Sequence, residues 1–216
     1  MVRQERAEQT RRQLIEAAAA EFDQHGYTRT SLSRVSRSAG VTMGALTFHF
    51  PTKGSLADVV CESGVNAVRW AMHRLRPVPS GGPAAVAELT RELGRLLEEE
   101  TAVRAAVRLA QDDPGEFPDW RAAWLPTLRT LLLDLTGDPP DPGRLAELEK
   151  LVVYLLIGAY NDARAPGPRP RLQEVLDRLW NLAFHGVDDA LRLAASCHSR
   201  SAYGRPQTKT NDRYVG

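Results

Sequence analysis

The chain has 216 residues, 43% of them hydrophobic and 25% charged, with a formal net charge of +1. Those proportions suit a soluble globular protein of one large or two modest domains, and no apolar run approaches the roughly 20 residues that a membrane-spanning helix needs. The opening MVRQERAEQTRR is too polar for a signal peptide, so the expected compartment is the cytoplasm. Cys61 and Cys197 lie far apart without a CxxC, and the five histidines make no HxxxH or HExxH pair. Reduced thiols are therefore expected, and neither a metal nor a cofactor is implied.

Charge is unevenly spread. Residues 1–55 hold eight basic and five acidic side chains, a surplus of three, which leaves the remainder mildly acidic. A basic head on an acidic body is the pattern expected if only the N-terminal part meets phosphate.

In chain order, Thr10, Leu14, Ile15, Ala18 and Phe22 recur at three- and four-residue steps and predict an amphipathic helix over 6–24, ended by Gly26. Thr30 and Ser31 offer caps for a short second helix over 32–38, which Gly40 stops. Thr42 caps a third helix over 43–48, closed by Pro51, and Thr52 caps a fourth that runs to about residue 75. The loop PVPSGGP follows, and then helical patterns over 84–99, 102–111, 117–135, 143–163 and 170–194, divided by DDPG, TGDPPDPG and PGPRP. No segment has strand periodicity and none repeats. The expectation is an all-α protein of nine helices, three in a head domain (1–51) and six in a second domain (52–195), with a disordered tail (196–216).

Two short helices joined by Ala39-Gly40-Val41 and braced by a third make the minimum helix-turn-helix. Such a unit reads DNA only if its last helix offers consecutive side chains to the major groove while a few apolar ones anchor it. Val41, Leu46 and Phe50 suit the anchor, leaving Thr42, Met43, Gly44, Ala45, Thr47 and His49 to face outward or sideways. Thr30, Ser31, Ser33, Thr42 and Lys53, at helix starts, are the expected phosphate contacts, although each hydroxyl has an equally good use as a plain helix cap.

The segment GYTRTSLSRVSRSAGVTMGALTFHFPTKGSL, with the helix before it, resembles the DNA-binding domain of the TetR family. The resemblance covers about residues 6–60 and rests on the glycine-aromatic pair, the Thr/Ser cap, A-G-V, Gly-Ala-Leu, an aromatic-His-aromatic run that includes Phe48, and the lysine. Within that family, RAEQTR, EFDQHGY and GAL-FHF are similar to the γ-butyrolactone receptors that control antibiotic production and development. Three positions depart from the family pattern. Met43 stands where a lysine is usual, Thr47 where a phosphate-contacting tyrosine is usual, and Gly54 where an acid is usual. Loss of a cation and a phenol should alter operator preference and weaken nonspecific affinity.

The resemblance further implies a pseudo-palindromic DNA operator, a homodimer and a small effector such as a butyrolactone or furan. It places Trp120, in EFPDWRAA, in the effector pocket, with Gln111, Tyr154, Tyr160 and Asn161 as polar candidates, though tryptophans one turn apart (Trp120, Trp124) are also ordinary core residues. It also implies that the stripes Leu148, Val152, Leu155 and Leu172, Val175, Leu176, Leu179, Leu182, Ala183 pair with their copies across a dimer, where the alternative is a monomer core. The fourth helix, which starts beside the reading helix and runs into the second domain, is the expected lever between the two. No nucleophile has a recognisable base beside it, which argues against an enzyme. A ligand-binding protein with weakened or altered DNA affinity stays open, supported by Met43 and Thr47.

Overall fold

The computed structural model describes residues 2–75, 82–133, 141–165, 167–168 and 170–184. Residues 77–81 of the expected loop over 77–83, the ends of two expected helices beyond 133 and 184, and the tail 196–216 lie outside them, while Gly82 and Pro83 already belong to a helix. Among the described residues every regular element is helical. In order these are α1 (Val2–Arg29), α2 (Leu32–Ser38), α3 (Met43–His49), α4 (Lys53–Arg74), α5 (Gly82–Glu99), α6 (Thr101–Asp112), a 3-10 turn (Trp120–Ala123), α7 (Leu125–Leu133), α8 (Pro142–Ala163) and α9 (172–184). No helix among them is long and apolar enough to cross a membrane.

Local chemistry sets the helix ends. Gly26 takes φ +71°, a region that side chains disfavour, and a Cβ there would overlap the Asp112 carboxylate. At the start of α4, Thr52 Oγ1 accepts from the Ser55 amide at 3.0 Å and Ser55 Oγ accepts from the Thr52 amide at 3.3 Å, a reciprocal cap worth about 1 kcal/mol. The pattern over 117–135 is not one helix. Pro126, which has no N–H to donate, fits only a first turn, so α7 begins at Leu125 and the preceding residues close into the 3-10 turn.

Two compact units are present, Met1–Asp177 and Arg178–Gly216. In the second, the Trp180 and Phe184 rings stack with centroids 5.2 Å apart. In the first, the head's core does not stop at residue 51. One buried cluster joins Leu14, Ala18 and Phe22 of α1, Val35 of α2, Leu46 of α3 and Leu56 and Val60 of α4 to Ala105, Ala106 and Leu109 of α6 and to Phe117. A three-helix unit buries too little apolar surface for independent stability, and here α6 as well as α4 completes it. Gly64 allows the close approach of α4 and α6, because a Cβ at that position would overlap the Ala102 carbonyl.

Candidate functional site

The α2–α3 pair is held rigidly. Gly40, at φ +67°, makes the turn, and the Val41 amide donates to the Ser36 carbonyl at 3.0 Å. Ser31 Oγ accepts from the Arg34 amide at 3.3 Å and Thr42 Oγ1 from the Ala45 amide at 3.2 Å, so both cap hydroxyls fix helix starts. Leu46 and Phe50 are buried and Val41 is half-buried, which anchors α3 by one side. Its other side carries Thr42, Met43, Gly44, Thr47 and Phe48 in the open, with Ala45 and His49 half-covered. Phe48 is 80% exposed, and its ring meets His49 edge-on at 5.2 Å. An aromatic ring this exposed leaves its hydrophobic surface uncompensated, and that surface suits the apolar edge of a thymine or a sugar.

Two of the expected phosphate donors, Thr30 and Lys53, are engaged inside the chain. Thr30 is only 2% exposed and its hydroxyl donates to the Gly26 carbonyl at 2.8 Å, closing the end of α1. Lys53 donates to the Tyr27 and Thr30 carbonyls at 3.0 and 3.2 Å, with its ammonium 4.1 Å from the Tyr27 ring centroid. Orphan carbonyls at a helix C-terminus attract a cation, so Lys53 pins the end of α1 to the start of α4. Thr47 Oγ1, exposed, donates back to the Met43 carbonyl at 3.1 Å. Ser31 and Ser33 stay on the surface. Arg11, which sequence reasoning passed over, lies 5.3 Å above the Phe50 ring at the end of α3. Its signal was available: it continues the stripe Leu14, Ala18, Phe22 one turn past the core, where an arginine reads as a solvated residue.

A cavity of about 350 Å³ lies between α6, the segment after it, and α8. Trp120 and Gln111 both line it, with Val107, Phe117 and Ile157. The other three polar candidates do not. Tyr154 is 71% exposed and Asn161 is on the surface, while the buried Tyr160 accepts from Arg164 at 3.1 Å. The side of α8 that reaches the cavity presents Ile157 instead. Trp124, one turn from Trp120, does not line the cavity. It is wholly buried, its ring centroid is 5.6 Å from that of Trp120, and its indole N–H has no partner. A buried donor left unsatisfied costs about 1–3 kcal/mol. On the cavity rim, burial works to raise the Asp119 carboxyl, but hydrogen bonds from the Arg121 side chain and backbone hold it below the usual carboxylate range.

Of the expected interface positions, Val152, Leu172 and Leu176 are buried within the single chain and have no surface left for a partner. Leu148, Leu155, Val175 and Leu179 are half-buried, and Leu182 and Ala183 are exposed. The apolar surface that α8 does expose runs through Leu151, at 54%, and Tyr154. The stripe is rotated by about one position from the predicted one, because α8's inward side is taken by Val152, Leu156 and Ala159.

The model of bacterial regulatory proteins of the tetR family matches residues 14–60, which are the core-forming part of α1, all of α2 and α3, and the start of α4. Beyond that domain, a crystal structure of a gamma-butyrolactone receptor described as ArpA-like superposes with a TM-score of 0.60 at 32% identity, covering 81% of this chain and 97% of that one. The chain belongs to the TetR family. The TetR-family protein CprB from Streptomyces coelicolor, solved with its biological operator sequence, is 34% identical over 58% of this chain and 64% of its own, with a TM-score of 0.50. The A-factor receptor protein of Streptomyces griseus is 32% identical over 127 residues, which are 56% of this chain. That match spans 43% of the receptor's length, under half. Within the TetR-family domain, α3 is a helix with one side exposed and its anchoring side buried.

Proposed function

We propose that the chain is a homodimeric, operator-binding transcriptional regulator that a small acyl lactone or furan releases from DNA. The observation that carries this reading is the double duty of α6: Leu109 lies in the head's core while Val107 and Gln111 wall the cavity. A ligand in that cavity touches the element on which the DNA-reading head rests. Trp120 and Phe117 offer aromatic walls to an acyl chain, and Gln111 on the same lining is a polar partner for a lactone carbonyl. The relatives support the classes of both partners, an operator for one and a butyrolactone for another.

On the DNA side, Ser31, Ser33 and Arg11 supply phosphate contacts, and Met43, Gly44, Ala45 and Phe48 meet base edges. A single short reading helix contacts too few bases for useful affinity, so two heads are needed, and the exposed Leu151 and Tyr154 on α8 are the surface we assign to dimer contact. Control of secondary metabolism follows if the butyrolactone class is right.

Selection of genomic fragments by the purified chain, followed by footprinting, tests the reading. The expected result is a protected pseudo-palindrome with half-sites separated by one or a few helical turns. A second reading, a ligand-binding protein with weakened DNA affinity, is favoured by one observation: Thr30 and Lys53 turn donors towards carbonyls of the chain itself. Under it, fragment binding stays weak, nonspecific and salt-sensitive while the lactone still binds.

A further inference from the structure

We infer that Tyr27 is the coupling residue between cavity and head, a latch gripped by the cavity wall on one side and by the start of α4 on the other. This rests on the reading above, in which cavity and head serve one regulator. Three residues grip Tyr27, and a fourth, Arg108, steadies one of them. Phe117, a cavity-wall residue, packs its ring 5.2 Å from the Tyr27 ring at 60°. Asp112, next to cavity-lining Gln111, accepts the Tyr27 amide through Oδ2 at 3.1 Å. Arg108 Nε holds the other oxygen, Oδ1, at 3.0 Å. Lys53, the first residue of α4, stands over the ring and donates to the Tyr27 and Thr30 carbonyls.

The geometry makes this junction sensitive. Gly26 is bare at the point where α6 ends, so nothing cushions the Asp112 carboxylate from the α1 backbone. Thr30 immediately precedes Ser31, the cap of α2, so the carbonyls that Lys53 holds lie at the entrance to the helix-turn-helix. Displacing Phe117 or the end of α6 from inside the cavity therefore moves Tyr27. Moving Tyr27 in turn shifts the starts of α2 and α4 together. This route is shorter than a tilt of the whole of α4. It runs through three side chains that already touch, and packed contacts of this kind switch between discrete arrangements rather than stretching.

A ligand-free mimic provides the test. Ala110→Trp places an indole in the cavity that Ala110 lines, and its effect is read in two ways. Amide exchange at Tyr27 should quicken about tenfold or more, the factor a hydrogen bond to a carboxylate is worth, while exchange at the Leu14 and Ala18 amides stays slow. Affinity for a selected operator fragment should fall about tenfold in the same variant. Tyr27→Leu should abolish the effect of Ala110→Trp on operator affinity, and Tyr27→Phe, which keeps the ring, should restore it. Gln111→Trp, a second filling variant, replaces Ala110→Trp if that chain does not fold. A folded filling variant whose Tyr27 amide exchanges as in the parent overturns the latch, as does an unchanged affinity loss in the Tyr27→Leu background. Should the parent bind no operator at all, the proposed function fails by itself, and the exchange measurement still decides the latch.

Discussion

Arg164, which caps α8, places Nη1 2.6 Å from Oδ1 of Asp23, three residues before the Gly26 break in α1, and the other carboxylate oxygen accepts from Arg104 Nε at 2.7 Å. Asp23 is buried, so two guanidinium groups from α6 and the end of α8 converge on one anion in the head's first helix. The Asp23 backbone carbonyl takes a further bond from Arg164 Nη2 at 3.1 Å. Removing the shared anion leaves two cations facing each other in a partly dry site. Asp23→Ala should cost about 2–4 kcal/mol in urea unfolding, reduced from the fully buried case because Arg164 is partly solvated. Arg164→Ala, which leaves the Arg104 pair intact, should cost about 1 kcal/mol.

Lys53 gives a prediction opposite in kind to the one its sequence position suggests. A phosphate-binding lysine changes the salt slope of DNA affinity and leaves stability alone. Here the ammonium caps α1, so Lys53→Ala should lower stability by about 1–2 kcal/mol and leave the salt slope within error. Thermal melting and a salt titration of fragment binding check the two parts.

Phe48 separates binding from folding. At its exposure, Phe48→Ala should change stability by no more than about 0.5 kcal/mol, whereas Leu46→Ala, two residues earlier and wholly buried, should cost about 2–5 kcal/mol. Loss of operator affinity in Phe48→Ala, with unchanged melting, is the expected outcome of a mobility-shift assay.

Burial, with the Asp58 charge adding to it, pushes the Cys61 thiol up to about 12. In a Cys197→Ser background, iodoacetamide at pH 8 should label Cys61 only after unfolding, because the thiolate is the nucleophile. The folded value lies above the unfolded one of 9.0, so the proton's contribution to stability is complete below pH 9 and is lost as the pH climbs towards 12. A urea midpoint that falls from pH 9 upward, and falls less in Cys61→Ala, checks the sign.

Periodicity and capping made the head legible: α2, α3 and the start of α4 lie within about a residue of where Ser31, Thr42 and Thr52 put them. What sequence could not convey was the use of each polar group. Thr30 and Ser31 are adjacent hydroxyls of similar chemistry, yet one faces the Gly26 carbonyl inside and the other stays in water, a difference set by the chain reversal at Gly26. The cavity was half legible. Trp120 and Gln111 belong to it, but Tyr154 does not, because an apolar-all-round helix such as α8 gives no phase by which to choose its inward side. Trp124's unpaired N–H is a property of packing alone.

Regulation here is one linkage, between DNA and the cavity that Trp120 lines. Its most direct test is a titration of a labelled, genome-selected operator fragment with the chain at increasing concentrations of a 2-acyl-γ-butyrolactone, paired with the reverse titration of lactone at saturating operator. Linkage requires the two affinities to fall by the same factor, about 5- to 150-fold for coupling of about 1–3 kcal/mol, and Trp120→Ala, which removes a lining ring, should abolish it while leaving operator affinity intact. A lactone that binds the chain, quenches its tryptophan fluorescence and leaves the operator dissociation constant unchanged at saturation would contradict the account.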